Sequence, residues 1–233
     1  VKLTLGTTVF GRPRIEVPTA LYYQRLAAEA DVAVELVAAV SEDWAAAVFQ
    51  ALGWRVIWAP NEPLGEKHNL MLMEAHKTKP DAFILVGSDD WLIAKSGNPF
   101  DAWAARADQP LFGPTDLYVV DLLERRACLW SNPPIPVGAG RMFRSDVLDA
   151  ASWRLWPSDA EKGLDAAMSK KLTHCWASGS RVNGIAAIDF KTDRNIWGYD
   201  AFARRSVACD IHEALAWLPP WALDLLAQPI PSL

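Results

Sequence analysis

Ser88-Asp89-Asp90 follows an apolar run over 82–86 and a glycine, Gly87. The run carries no charge and reads as a strand buried on both faces. Two neighbouring carboxylates at its end are costly to bury unless a cation meets them. In open α/β sheets, ligands bind outside the carboxyl ends of the strands. Mg2+ and Mn2+ are commonly held by one or two carboxylates, with phosphate oxygens of a ligand completing the shell. The chemistry on offer is capture of a divalent ion together with a phosphorylated ligand. Ser and Asp are also ordinary turn formers, so a plain turn is the competing reading of this tripeptide.

Polar residues recur where three other apolar segments stop. Thr7 and Thr8 close a segment over 2–9, with Arg12 in the turn behind it; Ser41-Glu42-Asp43 follow 34–40, and Asn61 follows 54–59. Lys67 and Asn69 fall in the first turn of a helix expected over 66–77, and helix starts favour anions. A solvated surface lysine is the alternative for Lys67. Gly138 and Gly140 would let the backbone approach a ligand closely.

The elements that must position these residues alternate along the first half. Strands are expected over 2–9, 34–40, 54–59 and 82–86, the last leading to Asp90, with helices over 17–30, 44–52 and 66–77. Pro18 is tolerable in a first helical turn, and Gly53 suits a helix C-terminus. Four βα-type units predict a mostly parallel sheet between helices, with one polar rim. GxGxxG is missing after the first strand and GxxxxGK[ST] is missing throughout, so dinucleotide binding and P-loop chemistry are unsupported. The second half reads as a helix over 99–107, paired strands over 117–123 and 126–130, a stiff Pro-rich loop over 132–136, helices over 146–151 and 160–172, and a late strand over 184–190 ahead of Lys191. With no repeat or linker, 1–233 reads as a single domain.

The chain has 233 residues, 51% hydrophobic and 22% charged, enough to bury a core. A net charge of −5 gives no general attraction to nucleic acid or anionic lipid, although Arg125-Arg126, Lys170-Lys171 and Arg204-Arg205 are local basic spots. The three cysteines form no CxxC pair, which points to a reducing compartment rather than zinc or a disulfide framework. No apolar run reaches the ~20 residues of a membrane span, and the start lacks a signal-peptide pattern; a cytoplasmic location is expected (host cytoplasm for a viral protein). The apolar tail, 213–233, must be covered by the domain's own surface, by a second copy in a homo-oligomer, or by a membrane interface.

The order of these pieces resembles a nucleotide-sugar-dependent glycosyltransferase of the GT-A fold, nearest the family 2 type, over roughly residues 3–172. Four segments carry the resemblance: 7–13 as first strand and nucleotide-contacting turn, 61–69 as the loop and helix beside the base, Ser88-Asp89-Asp90 as a DXD-type metal motif, and Gly138 to Asp146 as the acceptor-side segment. The implied fold is α/β, a mostly parallel central sheet flanked by helices with a smaller antiparallel acceptor-side portion. Residues 1–92 would form the nucleotide-sugar half and 93–212 the acceptor half. A strict Asp-x-Asp is absent, since Ser88 stands where the first Asp would be. By position, Asp90 would hold Mn2+ or Mg2+, and Asp89 would face the sugar or ribose. Thr7, Thr8, Arg12, Glu42, Asn61, Lys67, Asn69 and Ser88 would line the donor.

The resemblance also implies a carboxylate that deprotonates the acceptor hydroxyl. Asp165 is at a suitable place, with Asp159 and Glu161 as competitors and a helix-surface carboxylate as the alternative. His174 could add a metal or diphosphate contact, with Asp189 and Lys191 as candidates of the same kind. Gly138, Gly140, Trp91 and Trp156 would meet sugar or acceptor, with Trp153 beside them, although tryptophan serves cores equally well. The expected function is metal-dependent transfer of a sugar, hexosyl or pentosyl, from a nucleoside-diphosphate sugar to a hydroxyl; a hydroxymethylated base in viral DNA is one acceptor the basic spots allow. A nucleotidyltransferase would use a similar sheet and metal, but the turn at Phe10-Gly11-Arg12-Pro13 is short for one. A non-catalytic nucleotide-binding module is the third reading.

Overall fold

The computed structural model describes residues 1–131, 136–172, 184–192 and 198–227. The first half alternates as the apolar runs demand: β1 (Lys2–Val9), α1 (Pro13–Glu29), β2 (Ala33–Val40), α2 (Asp43–Ala51), β3 (Arg55–Trp58), α3 (Leu64–His76) and β4 (Ala82–Leu85). The chain then runs through β5 (Asp90–Ala94), α4 (Pro99–Ala104), β6 (Leu111–Phe112), β7 (Asp116–Asp121), β8 (Arg126–Ser131), β9 (Arg141–Arg144), α5 (Ser145–Ala150) and α6 (Leu164–Lys171). It closes with β10 (Ile185–Lys191), α7 (Tyr199–Ala203), β11 (Val207–Cys209), α8 (Ile211–Leu215) and α9 (Pro220–Ala227). The Pro-rich loop expected over 132–136 lies mostly outside the described residues.

Two sheets organise these strands. The first has the order β3-β2-β1-β4-β9-β6, parallel from β3 through β4 and antiparallel at β9. Its faces are both covered, which is why its strands read as unbroken apolar runs. Val37, Ala39, Phe83 and Leu85 pack toward Met71, Leu72 and Ala75 of α3. Leu5, Ala38, Val40 and Ile84 pack on the opposite side with Ile15, Ala20 and Tyr23 of α1. The second sheet, β11-β8-β7-β10-β5, is antiparallel except between β7 and β10. The fold is thus α/β, a mostly parallel sheet flanked by helices with a largely antiparallel second portion.

Several boundaries differ from the sequence reading. Helix α1 begins at Pro13, not 17, because the Arg12 carbonyl already accepts the N–H groups of Ile15 and Glu16 at 3.0 Å. Pro13 takes the first helical position, where its missing N–H costs nothing, and Pro18 lies inside the helix. Helix α6 starts at Leu164, after Gly163 turns the chain at φ +71. The strand expected at 82–86 is β4, and the chain turns after it as expected; it then enters β5 of the second sheet, a strand absent from the expected elements. Lys191 lies within β10 rather than beyond it, two residues after Asp189 of the same strand.

β5 is the outer strand of its sheet, and an outer strand leaves backbone groups unpaired. Here α1 meets them. Tyr23 Oη donates to Asp90 O at 2.8 Å and accepts the Leu92 N–H at 3.0 Å, while Tyr22 Oη donates to Leu92 O at 2.6 Å. The Tyr22 ring stacks on Trp91 at 4.2 Å, and Trp221 of α9 covers Tyr22 and the Arg25 guanidinium, the latter at 4.3 Å. This part of the apolar tail packs on the domain's own surface. Among the described residues, no helix is long and apolar enough to cross a membrane.

Trp91 is fully buried and donates from Nε1 to Thr19 Oγ1 at 2.7 Å. Trp91→Ala is expected to cost about 3–5 kcal/mol of unfolding free energy, the usual range for deleting a buried large aromatic. Trp91→Phe, which keeps a stacked ring and loses the donor, should cost less. Urea denaturation of the two variants beside the parent measures both.

Candidate active site

The β4–β5 turn and β10 build an acidic corner where the two sheets meet. Asp90 opens β5, and the antiparallel register places it opposite Asp189 of β10. The Phe190 N–H donates to Asp89 O at 3.0 Å, which holds the preceding residue against the same strand. One carboxylate oxygen from each of Asp89, Asp90 and Asp189 lies within 4.8 Å of the others. Asp90 Oδ2 accepts the Gly87 N–H at 2.7 Å. A Cβ on Gly87 would stand 2.7 Å from that oxygen, so this contact requires glycine.

Two cations already touch the corner. Arg12 donates from Nη1 to Asp89 Oδ2 at 2.5 Å and from Nη2 to Asp89 Oδ1 at 3.2 Å and Ser88 Oγ at 2.8 Å. Lys191 Nζ pairs with Asp189 Oδ2 at 2.6 Å. Burial, then the charges of Asp189 and Asp89, hold the Asp90 carboxyl well above its ordinary range. Burial also raises Asp189, with Lys191 opposing it. Asp189 Oδ1 is buried and has no hydrogen-bond partner among the described residues. Among the described residues, Arg12 and Lys191 meet these three carboxylates and Asp189 Oδ1 is left without a partner, an arrangement that fits a divalent ion of the Mg2+ or Mn2+ type.

The expected donor residues divide into rim and interior. Arg12, Ser88 and Asp89 come together as described. Glu42 Oε2 accepts the Gly11 N–H at 2.7 Å and so fixes the turn after β1. Lys67 is 1% exposed, and its ammonium donates to Val9 O at 2.7 Å, Ser41 Oγ at 2.7 Å and Asn61 Oδ1 at 3.1 Å. It ties together the ends of β1, β2 and β3, and burial lowers its pKa to about 8. Asn69 is interior too: its Oδ1 accepts the N–H groups of Leu155 and Trp156, and its Nδ2 donates to Trp156 O. Those bonds join α3 to the 155–156 segment. Thr7 is fully buried, whereas Thr8 Oγ1 lies 3.5 Å from His68 Nε2.

On the other side, Asp165 opens α6 with a side chain 68% exposed. Its Oδ1 accepts from Arg141 Nη1 at 2.9 Å, and Arg141 is itself anchored through Nε and Nη2 on Pro136 O. Gly138 leaves the space Asp165 fills; a Cβ there would sit 3.0 Å from Asp165 Oδ2. Gly140 turns at φ +79 against Leu92 and Trp103, a packing role. Trp91, Trp153 and Trp156 are all buried, so none offers an open ring to a sugar. Asp159 and Glu161 are exposed. His174 lies outside the described residues. Glu16 joins the site only through the fold, and Arg141, within the acceptor-side segment, gains its role through Asp165. The signal for Glu16 was its position four residues after Arg12 in the first turn of a Pro-started helix, from which a carboxylate reaches back to free backbone N–H groups.

No protein-family model matches this sequence, and no curated protein matches it. Among solved structures, the mannosyltransferase PcManGT from Pyrobaculum calidifontis, in complex with GDP-Man and Mn2+, superposes with a TM-score of 0.53 at 14% identity, covering 97% of this chain and 72% of that one. TarS 1-349 from S. aureus gives 0.48 at 13% identity over 83% and 59%. A CMP:2-keto-3-deoxy-manno-octonic acid synthetase complexed with CTP gives 0.43 at 17% identity over 88% and 96%. The first likeness carries the fold assignment: the chain has the GT-A fold.

His68, beside Thr8 and against the Trp156 ring at 5.0 Å, is held by burial at a pKa of about 4, below its ordinary 6.5. The folded state therefore favours neutral His68, and between those values the unfolded chain binds the proton better. Its contribution is fully present above pH 6.5 and is lost as pH falls toward 4. His68→Gln should flatten this part of the stability profile, so that parent and variant converge between pH 7 and pH 5 in urea denaturation.

Proposed function

We propose that this chain is a metal-dependent glycosyltransferase that moves a sugar from a nucleoside-diphosphate sugar to a hydroxyl acceptor. The observation that carries the reading is the buried corner of Asp89, Asp90 and Asp189 at the rim of a parallel sheet, where Asp189 Oδ1 has no partner among the described residues. The mannosyltransferase of the same fold was solved with GDP-Man and Mn2+, a ligand pair of the chemistry this corner would take.

Asp89, Asp90 and Asp189 would hold Mn2+ or Mg2+. A divalent ion held by these carboxylates would supply Lewis-acid neutralisation of the charge that develops on a departing diphosphate. Arg12 stands beside the same carboxylates as the cation nearest the donor, and the Glu42-anchored turn at Gly11 borders it. Asp165 is the base. Arg141 occupies its Oδ1 and fixes its orientation, leaving Oδ2 toward Gly138. In the reaction, the acceptor hydroxyl gives its proton to Asp165 while the acceptor oxygen bonds the sugar's anomeric carbon. The sugar–phosphate bond breaks, and the nucleoside diphosphate leaves with the electron pair.

Thermal melting with a panel of sugar nucleotides, each with Mn2+ or with EDTA, tests the donor site. A ligand selective for the folded state adds about 2.7 kcal/mol at a hundredfold excess over its dissociation constant. One nucleotide should raise the midpoint with Mn2+ and not with EDTA, and Asp90→Asn and Asp189→Asn should each abolish that shift. No shift with any nucleotide overturns the reading, and a shift confined to nucleoside triphosphates moves it to nucleotidyl transfer.

Asp165→Asn should preserve the donor-induced shift while lowering turnover by about 10²–10⁴, the usual contribution of a general base. Release of nucleoside diphosphate in the presence of acceptor measures the turnover. A variant with undiminished turnover removes Asp165 from the role.

A further inference from the structure

Glu16 lies in the first turn of α1 and is fully buried. Its Oε1 accepts the Phe10 N–H at 2.9 Å and the Ser88 hydroxyl at 3.2 Å; its Oε2 accepts the Arg12 N–H at 2.9 Å. A carboxylate taken out of water needs such partners. These bonds hold the backbone on both sides of Gly11, which turns at φ +75, and they reach across to the β4–β5 turn. Arg12 closes a ring: its backbone is held by Glu16, its guanidinium by Asp89 and Ser88, and Ser88 returns to Glu16. The Arg12 Nε also stands 4.0 Å from Glu16 Oε1.

We infer that Glu16 is a positioning residue, acting through Arg12 to place the guanidinium that meets the donor's diphosphate. This rests on the donor-site reading above. Where the guanidinium stands depends on where the Arg12 backbone is fixed, and Glu16 fixes it. The geometry needs a carboxylate: two oxygens accept N–H groups on opposite sides of the turn. A glutamine keeps the shape but supplies one acceptor oxygen and one NH2 group. That NH2 would face a backbone N–H and push one arm of the turn away.

Glu16→Gln tests this, with Glu16→Asp, which draws the carboxylate back by one methylene, as a second variant should the first fail to fold. Three quantities are compared with the parent: the Mn2+ dissociation constant without nucleotide, the dissociation constant of a nucleoside diphosphate with Mn2+, and the 15Nε–1Hε signal of Arg12, assigned from its loss in Arg12→Lys. The expected result is undiminished Mn2+ affinity, because Asp89, Asp90 and Asp189 are intact. Nucleoside diphosphate affinity should fall about tenfold, the scale of one charge-assisted hydrogen bond, and the Arg12 signal should broaden or shift. In an Arg12→Ala background, Glu16→Gln should cause no further loss of nucleotide affinity, since its effect runs through Arg12. A full loss in that background, an equal loss of Mn2+ affinity, or an unmoved Arg12 signal in the folded variant overturns the inference. If the parent binds no nucleoside diphosphate while the Arg12 signal still responds to Glu16→Gln, the positioning role stands and the donor-site reading falls.

Discussion

Repulsion among Asp89, Asp90 and Asp189 is the constraint the rest of the structure answers to. Carboxylates in a poorly hydrated corner raise one another's pKa values and are retained only where cations and N–H groups meet them. Arg12 and Lys191 each take one, and the Gly87 N–H takes an oxygen of the third. The corner is thereby assembled from the β1 turn, the β4–β5 turn and β10. Each must arrive in register, because a shift of one residue in the β5–β10 ladder would send Asp189 to the opposite face.

The surrounding fold supplies that register. Two tyrosine hydroxyls of α1 fasten the outer edge of β5, and the Tyr22–Trp91 stack locks it against the helix. Glu16, on the same helix, fastens the β1 turn. One helix therefore holds both the turn that carries Arg12 and the strand that carries Asp90. A helix is a rigid element, so positions set on it are more reproducible than positions set by loops.

Polar residues near the rim do two different jobs. Lys67 and Asn69 spend their hydrogen bonds on backbone and neighbouring side chains, joining strand ends to α3 and α3 to the 155–156 segment. Arg12 and Asp165 keep part of their surface open. Arg141 gives Asp165 a charged partner on one oxygen, and the bare Cα of Gly138 gives it room on the other. Charge is thus displayed at two places, over the acidic corner and at the start of α6.

The alternation of apolar runs and amphipathic stretches was enough to read β1 through β4 with their helices, the parallel sheet and the β7–β8 hairpin. Strand and helix periodicities are local properties of the chain, as is the habit of strands to end in polar residues, which marked Arg12, Ser88, Asp89 and Asp90. The short strands β6, β9 and β11 carry too few residues for a period to appear. Trp91 could be platform or core on sequence grounds; the stack with Tyr22 and the bond to Thr19 decided it. Lys67 read as a donor-lining cation at a helix start, with a solvated surface lysine as the alternative, until the ends of three strands closed around its ammonium. Asp189 illustrates the general cause: its partners come from a strand far earlier in the chain, brought beside it by sheet pairing. Sequence records which groups can ionise or accept a hydrogen bond; long-range pairing decides which of them share a space small enough for their charges to matter.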